Sequence, residues 1–394
     1  MEKIKAGIIG CGRISSVYQA AFENMKDEVE LAFVVDKDVC RARKLAAAFP
    51  GCGYSDKLED LLKQPLSVVH VLTPHYLHKE HAVACLDAGF HVLTEKPVAL
   101  TTEDADAMIR AADRNGRQLG VIFQNRYIEG IQEVKKLIEQ GKFGRITGAF
   151  STLNWWRPPS YYECDWKGSW EKEGGGVVID QAIHSLDLVR YLMGCEPVKV
   201  KGHIDRRILT NIEVEDVADA AITFENGAVY SFFACNYYTS NSPIRVEISG
   251  ENGTALLTQN EVLIQLKGQE PRTIYPSVGP DVKGEAYWGN YHEIQLRDFY
   301  RCLREGRPVP TDPEDAKRTL GLVLDIYRSS RENREIITER QAAEDRRRKN
   351  NIVFIIEWYD FTGYAILFFE EMYVRGCLRG HKWLVLLTIK EAGL

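Results

Sequence analysis

The sequence predicts an α/β protein of two domains: a doubly wound parallel sheet, then an α+β domain with a mostly antiparallel sheet. Three observations carry this. Up to about residue 125, apolar runs alternate with helical patterns, the rhythm of parallel strands covered on both faces. From about residue 126 that rhythm gives way to strand-like runs around Asn-Gly dipeptides. A glycine pair, Gly10-x-Gly12, closes the first strand and opens the first helix.

The elements follow in order. IKAGIIG (4–10) reads as a strand, and 13–26 as a helix with Ile14, Val17, Ala21 and Phe22 on one side. ELAFVVD (30–36) is a second strand, followed by a helix over 38–48. SVVHVLT (67–73) is a third strand, with a helix over 77–89 ending near Gly89. HVLTEK (91–96) is a fourth. The helix over 102–115 enters through Thr101, with Asp104 three residues on, and stops at Gly116. QLGVIF (118–123) follows as a strand.

A helix over 129–140 ends at Gly141. The run 217–237 is a hairpin around Asn226-Gly227, a pair that suits a type I′ turn. Residues 244–258 repeat the device around Asn252-Gly253, and 262–275 adds another strand pair. Helices return over 285–304 and 313–333, the second with Asp312 as N-cap and Pro313 in its first turn.

The last part of the chain fits neither rhythm. After a charged run comes IVFIIEWYDFTGYAILFFEEMYV, apolar enough to suggest a membrane span. Glu357 and Asp360 inside it argue against one, since each acid near a bilayer centre costs about 2.5–3.5 kcal/mol. A packed appendage and a tail foreign to the fold both remain open readings.

Composition narrows the function classes. The chain has 394 residues, 45% hydrophobic and 27% charged, with a net charge of −6. Such a balance offers no basic field for nucleic acid. The N-terminus runs directly into a strand without a charged-then-apolar leader. The nine cysteines are scattered without CxxC spacing, so they read as reduced thiols in a cytoplasmic protein. No HExxH or other metal signature is present, and no metal is expected.

The chemistry begins at GIIGCGRIS. Glycines at 10 and 12 let the backbone approach a pyrophosphate at a helix N-terminus, which brings Arg13 and Ile14 beside the ligand. Ser15 stands where the fingerprint has Gly or Ala. Asp36, at the end of the second strand, suits the adenosine ribose and repels a 2′-phosphate. That favours NAD over NADP, although the adjacent Lys37 could tolerate the phosphate. After the third strand, Thr73 and Pro74 run beside the cofactor. His75 and His78 resemble catalytic groups, but they read better as fixing that loop.

Glu95-Lys96-Pro97 ends the fourth strand on the same sheet edge, and Asn125 follows the fifth. Proline holds the residue before it extended, which aims Lys96 into the crevice. A lysine beside a nicotinamide can stabilise the oxygen from which hydride leaves; the alternative is a solvated surface lysine. An X-Pro bond at such a place is a candidate for the cis form.

The stretch EGGGVVIDQAIHSLDLVRYLMG (173–194) reads as helix from about Val177. It aligns Asp180, His184 and Asp187 at i, i+4 and i+7. The residues alone admit either a site or a core histidine with two structural carboxylates. In NWWRPPSYYECDWKGSW (154–170), Tyr162 and Trp166 are candidates for the apolar face of a sugar ring. Arg157 or Lys167 could meet a carboxylate or phosphate. Arg126, at the domain junction, is a further substrate candidate. Packing of the sheet is the competing role for these aromatic residues.

GIIGCGRIS, TPHYLH (73–78) and above all TEKP resemble the glucose–fructose oxidoreductase and inositol dehydrogenase (Gfo/Idh/MocA) family over about residues 1–335. The resemblance implies an N-terminal Rossmann domain (1–125) that binds NAD. It implies a substrate-binding and oligomerisation domain (126–335) with a large open sheet, and leaves 336–394 as a tail. It implies homodimers or homotetramers, and a pyridine-nucleotide-dependent dehydrogenase of sugars, sugar derivatives or cyclitols. The D-x-x-x-H-x-x-D pattern looks like the family's catalytic helix. His184 would then be the general base, with an ordinary histidine pKa suited to neutral pH. Asp180 would position it or bind a hydroxyl, and Asp187 would be structural. A non-catalytic nucleotide or sugar sensor, and an NAD-dependent glycoside hydrolase, are the alternatives of the same fold.

Overall fold

The computed structural model describes residues 2–276, 291–338 and 341, together with the backbone of 372–379 and 382–389. The chain forms two compact units, residues 1–336 and 337–394. The described part of the second is a two-stranded antiparallel sheet, Met372–Arg379 with Lys382–Ile389. The apolar run considered as a membrane span lies largely outside the described residues. Among the described residues no helix is long and apolar enough to cross a membrane.

The first unit opens with β1 (Ile4–Ile9), α1 (Ser15–Asn24), β2 (Val29–Val35), α2 (Val39–Ala46), β3 (Gly53–Ser55) and α3 (Leu58–Leu62). It continues with β4 (Val68–Val71), α4 (His78–Asp87), β5 (His91–Thr94), α5 (Thr102–Asn115), β6 (Leu119–Val121) and α6 (Glu129–Glu139). These six strands form one parallel sheet in the order β3-β2-β1-β4-β5-β6. The strand order reverses between β1 and β4, so a crevice opens at their C-terminal ends. The sequence reading missed β3 and α3; a three-residue edge strand carries too short an apolar run to register. Helix α5 begins and ends as expected. Thr101 Oγ1 accepts the Asp104 N–H at 3.1 Å, and Gly116 takes φ 59° at the C-cap.

The second sheet comes from β7 (Ile146–Asn154), β8 (Pro197–Asp205), β9 (Val217–Phe224), β10 (Val229–Cys235), β11 (Arg245–Gly250), β12 (Gly253–Thr258), β13 (Glu261–Leu266) and β14 (Arg272–Ile274). Its order is β14-β13-β12-β11-β7-β10-β9-β8, with the short β15 at Ile336–Ile337 on the far edge. Among β7 to β14 the pairing is antiparallel except between β7 and β10, which run parallel with Gly148 opposite Val229. Helices α6, α7 (Ile183–Met193) and α9 (Pro313–Glu332) pack on this sheet, and alternate strand residues are buried. On the opposite face Phe150, Val229 and Leu263 stand exposed.

The hairpin at Asn226-Gly227 is present, but its turn is not type I′. Gly227 takes φ 81°, whereas Asn226 is absent from the positive-φ residues. Asn226 instead uses Oδ1 to accept the Ala228 N–H at 2.9 Å. Helix α8 (Tyr291–Glu305) follows the second sheet in sequence, yet Leu296, Phe299 and Tyr300 share a core with Ile8, Tyr18 and Phe22 of the first. The start expected for this helix, at 285, lies outside the described residues. Asp312 caps α9 by accepting the Asp315 N–H at 2.8 Å.

Candidate active site

The glycine loop is shaped by contact beneath it and space above it. Gly10 takes φ 98°, and a Cβ there would stand 2.7 Å from the Leu72 carbonyl oxygen at the end of β4. A Cβ on Gly12 would meet nothing within 4 Å. Ser15 earns its place by donating its hydroxyl to Gly12 O at 2.6 Å, which closes the loop. At the end of β2, Asp36 accepts the Cys11 N–H (2.6 Å) on one oxygen and the Asp38 N–H (2.8 Å) on the other. The carboxylate is thus fixed against the loop. Lys37 turns to Asp165, 2.6 Å away.

Gly10, Gly12, Asp36 and Lys37 line a cleft of about 890 Å³ along the crevice. Every residue assigned to the cofactor from the sequence borders it: Gly10, Gly12, Arg13 and Ile14 on the loop, Asp36 and Lys37, Thr73, Pro74, His75 and His78, Glu95, Lys96 and Asn125. The residues fit a dinucleotide cofactor. The room over Gly12 and the helix end behind it suit a pyrophosphate.

His78 ties two of the strand-end loops together, with Nδ1 2.7 Å from Pro97 O and Nε2 2.8 Å from Thr73 O. The Lys96-Pro97 peptide is cis. Glu95 turns inward and accepts the Tyr18 hydroxyl at 2.9 Å, with His292 of α8 at 3.5 Å. Burial opposes its charge, but His292, Lys96 and Tyr18 outweigh burial and hold it at about 2.

Lys96 reaches across to the second domain. Its ammonium donates to the Asp180 carbonyl and lies 3.3 Å from Asp180 Oδ1. Asp180 sits in a π-helical turn, Val178–Ala182, which leads into α7. One extra residue in that turn displaces the even helical register read from sequence. Asp180 Oδ2 accepts Lys167 Nζ (2.6 Å), the Tyr161 hydroxyl (2.7 Å) and Gln181 Nε2 (2.6 Å). Burial works against this carboxylate, yet Lys167 and then Lys96 hold it well below the usual range. Lys167 also pairs with Glu173 at 3.2 Å; burial pushes Glu173 up to about 8 against that pairing. His75 completes the cluster, 3.8 Å from Asp180 Oδ1, its Nδ1 2.8 Å from Glu173 O. Burial keeps His75 well below the ordinary histidine range, with Asp180 opposing.

His184 lines the same cleft as Lys96. Its Nδ1 is buried without a hydrogen-bond partner among the described residues, and its ring meets Phe123 edge-on. The ordinary pKa expected from sequence does not hold. Burial, aided by the Lys96 ammonium, pushes the ring down to about 3, so the imidazole is neutral at physiological pH.

Two substrate candidates lie elsewhere. Arg126 is buried in a pair with Asp187 (Nε to Oδ2, 2.7 Å) and Asp315 (2.6 Å), and does not border the cleft. The ion pair draws its side chain under α7, away from its neighbours Gln124 and Asn125, which do border the cleft. Asp187 is structural on the same grounds, accepting Thr319 Oγ1 at 2.9 Å as well. Tyr162 turns into a small core with Leu209, Ile212 and Val214, and its hydroxyl receives Asn236 Nδ2 at 3.0 Å. Its neighbour Tyr161 takes the cleft side, and nothing in the Tyr-Tyr pair marks which one would. Trp166 does border the cleft, its ring centroid 4.9 Å from that of His75. Glu173, Gln181 and His292 were not recognised as site residues; their roles depend on pairings across the fold.

Two family models match the chain. Residues 4–123 match the "Oxidoreductase family, NAD-binding Rossmann fold" and residues 131–256 the "GFO/IDH/MocA C-terminal domain". The chain belongs to the GFO/IDH/MocA oxidoreductase family. Its first sheet is therefore an NAD(P)-binding Rossmann domain. The WlbA dehydrogenase of Bordetella pertussis, solved with NADH and UDP-GlcNAcA, is 31% identical, with a TM-score of 0.73 over 85% of this chain and 99% of that one. The scyllo-inositol 2-dehydrogenase (NADP(+)) IolW of Bacillus subtilis (strain 168) is 27% identical over 86% of this chain and 97% of its own. The 1-carboxy-3-chloro-3,4-dihydroxycyclo hexa-1,5-diene dehydrogenase of Comamonas testosteroni is 33% identical over 61% of this chain. That match spans 59% of the relative's length. These relatives thus include one solved with NADH and one named for NADP(+).

Proposed function

We propose that this family member is an NAD-dependent dehydrogenase that oxidises a secondary alcohol of a sugar, sugar derivative or cyclitol. The observation that carries the reading is convergence: Lys96, Asp180 and His184 border the cleft that begins at the Gly10-Gly12 loop. Bound nicotinamide dinucleotide supplies the hydride acceptor. The neutral imidazole of His184 takes the proton of the substrate hydroxyl, and the Lys96 ammonium stabilises the oxygen as negative charge develops there. Asp180 holds that ammonium from the far domain and Lys167 restrains Asp180, so the lysine is oriented before substrate arrives. Burial keeps the His184 imidazole in the unprotonated form that can accept this proton, while lowering its basicity.

Asp36 supports NAD over NADP, because its carboxylate is fixed where a 2′-phosphate would come. Lys37, held by Asp165, is drawn from that role. The division into a cofactor domain (1–125), a substrate and assembly domain (126–335) and a tail (336–394) goes with this reading. The exposed sheet face bearing Phe150, Val229 and Leu263 is the surface through which a homodimer or homotetramer would form. Every cysteine with a described side chain is a free thiol, in keeping with a cytoplasmic enzyme.

The test is net NADH formation over a panel of sugars, uronic acids, nucleotide sugars and inositols. Steady NADH production with one of them is expected. Product release without net NADH would indicate the glycoside hydrolase chemistry instead. Binding without turnover of any kind would indicate a sensor.

A further inference from the structure

Beside the cleft lies a second cavity of about 460 Å³, bordered by Arg13, Trp156, Arg157 and Asn241 among others. Arg13, Arg157, Ser160 and Tyr161 border both spaces, so the two adjoin. Tyr161 links them chemically. Its hydroxyl donates to Asp180 at the reacting end. Its ring is approached by three cations: Arg157 Cζ at 5.1 Å, Arg13 Cζ at 5.2 Å and Lys167 Nζ at 4.5 Å from the centroid. Lys167 faces Asp180 and Glu173, while the two guanidinium groups border the second cavity.

Arg157 is built in, not draped over the surface. Only 3% of it is exposed, and its guanidinium stacks 4.6 Å from the Trp155 ring centroid. Its NH1 donates to Trp156 O (3.0 Å) and Asn241 Oδ1 (3.2 Å). Asn241 Oδ1 also receives the Trp156 N–H at 3.0 Å, which clamps the loop that carries the arginine. A planar fork held in this way recognises carboxylate or phosphate with little further loss of entropy. Trp156, 48% exposed at the same cavity, offers an apolar face for a ring.

We infer that the substrate carries an anionic group, a carboxylate or a phosphate, seated by Arg157 and Arg13 in the cavity beyond Tyr161 while its reacting hydroxyl lies at Lys96. This rests on the dehydrogenase reading above and narrows its substrate class from sugars at large to acidic ones. Of the residues that border this cavity only Arg13 comes from the glycine loop; the rest lie between Trp156 and Tyr161 and at Asn241, on the substrate domain, so we assign the anion to substrate. Arg13, next to Gly12, contributes from the cofactor side.

The test compares matched substrates: a neutral sugar, its uronic acid, its phosphate ester and its nucleoside-diphosphate derivative, each assayed for NADH formation at two ionic strengths. At least one anionic member should exceed the neutral parent by about 100-fold in kcat/KM, and that advantage should shrink in high salt. The uronic acid against the phosphate esters tells carboxylate from phosphate. Arg157→Gln should raise KM for the preferred anionic substrate by about 10-fold more than for the neutral sugar, with Arg157→Lys between. If Arg157→Gln does not fold, Asn241→Ala, at an exposed position, should move KM in the same direction by a smaller factor. Equal kcat/KM for neutral and anionic members overturns the inference while the dehydrogenase reading stands. If no member yields NADH, that reading fails, and equilibrium binding of the same set by tryptophan fluorescence decides the anion site. Tighter binding of the anionic members supports it, and equal binding overturns it.

Discussion

The two sides of the cleft are built by different means. On the cofactor side, Gly10, Gly12, Ser15 and Asp36 work through backbone. A φ of 98°, an open space over Gly12, a hydroxyl on a carbonyl and a carboxylate on two N–H groups are all set within one βαβ unit. On the substrate side, Asp180 gathers Lys96, Lys167, Tyr161, Gln181 and His75 from four separate stretches of chain. The first side is local and tolerates loss of a single side chain. The second is a network of buried charges in which each member supports the others.

The largest difference should follow from neutralising one carboxylate on each side. Asp180→Asn leaves the buried ammonium groups of Lys96 and Lys167 without their shared partner, and should cost about 3–5 kcal/mol in denaturant unfolding. Asp36→Ala, which frees only two N–H groups at a cleft edge, should cost about 1–2 kcal/mol. Its main effect should be to narrow the preference for NAD over NADP in equilibrium binding. Equal losses from the two substitutions would break the distinction between the sides, and stronger NADP binding by the unaltered protein would break the reading of Asp36.

The same division can be sharpened by pH. His70, on β4 of the first sheet, is fully buried with its Nε2 2.6 Å from the Tyr300 hydroxyl, and burial pushes it down to about 3 despite Glu95. The unfolded chain takes up this proton near pH 6.5, whereas the folded chain refuses it until about pH 3, so stability is lost as pH falls through that window. Replacing the group in His70→Asn should reduce the stability lost between pH 7 and pH 5 by about 2 kcal/mol. An unchanged pH dependence in that variant would mean that His70 protonates freely in the fold.

The smallest effect is expected from the tail. Residues 337–394 form a unit of their own, so a chain ending near Glu339 should fold and bind NAD with affinity unchanged within about twofold. Aggregation of the shortened chain would place tail residues in the core.

What was legible in the sequence follows the same boundary. The apolar rhythm of 4–123, the caps at Thr101 and Asp312 and the glycine loop are local signals, and each is realised in the fold. Lys96 and Asp180 were legible because a short motif marks each. Their contact was not, since it joins residues 84 apart through a sheet and a π-helical turn. Tyr161 and Tyr162 could not be told apart by type, as one residue of rotation decides which side faces the cleft. Arg126 was misread because its partners, Asp187 and Asp315, come from distant helices. The depressed pKa of His184 was hidden for the same reason, being a property of its burial and of Lys96.

The most direct measurement of the central claim is a double-mutant cycle on the chemical step. Single-turnover NADH formation would be followed in Lys96→Met, His184→Ala and the double variant, with NAD affinity measured in parallel. Each single change should slow the step by about 100-fold or more. NAD binding should stay nearly intact, because the glycine loop and Asp36 are untouched. The double variant should lose far less than the product of the two, since both groups serve one hydroxyl. Fully multiplicative losses, or a collapse of NAD binding in Lys96→Met, would contradict a shared site of action.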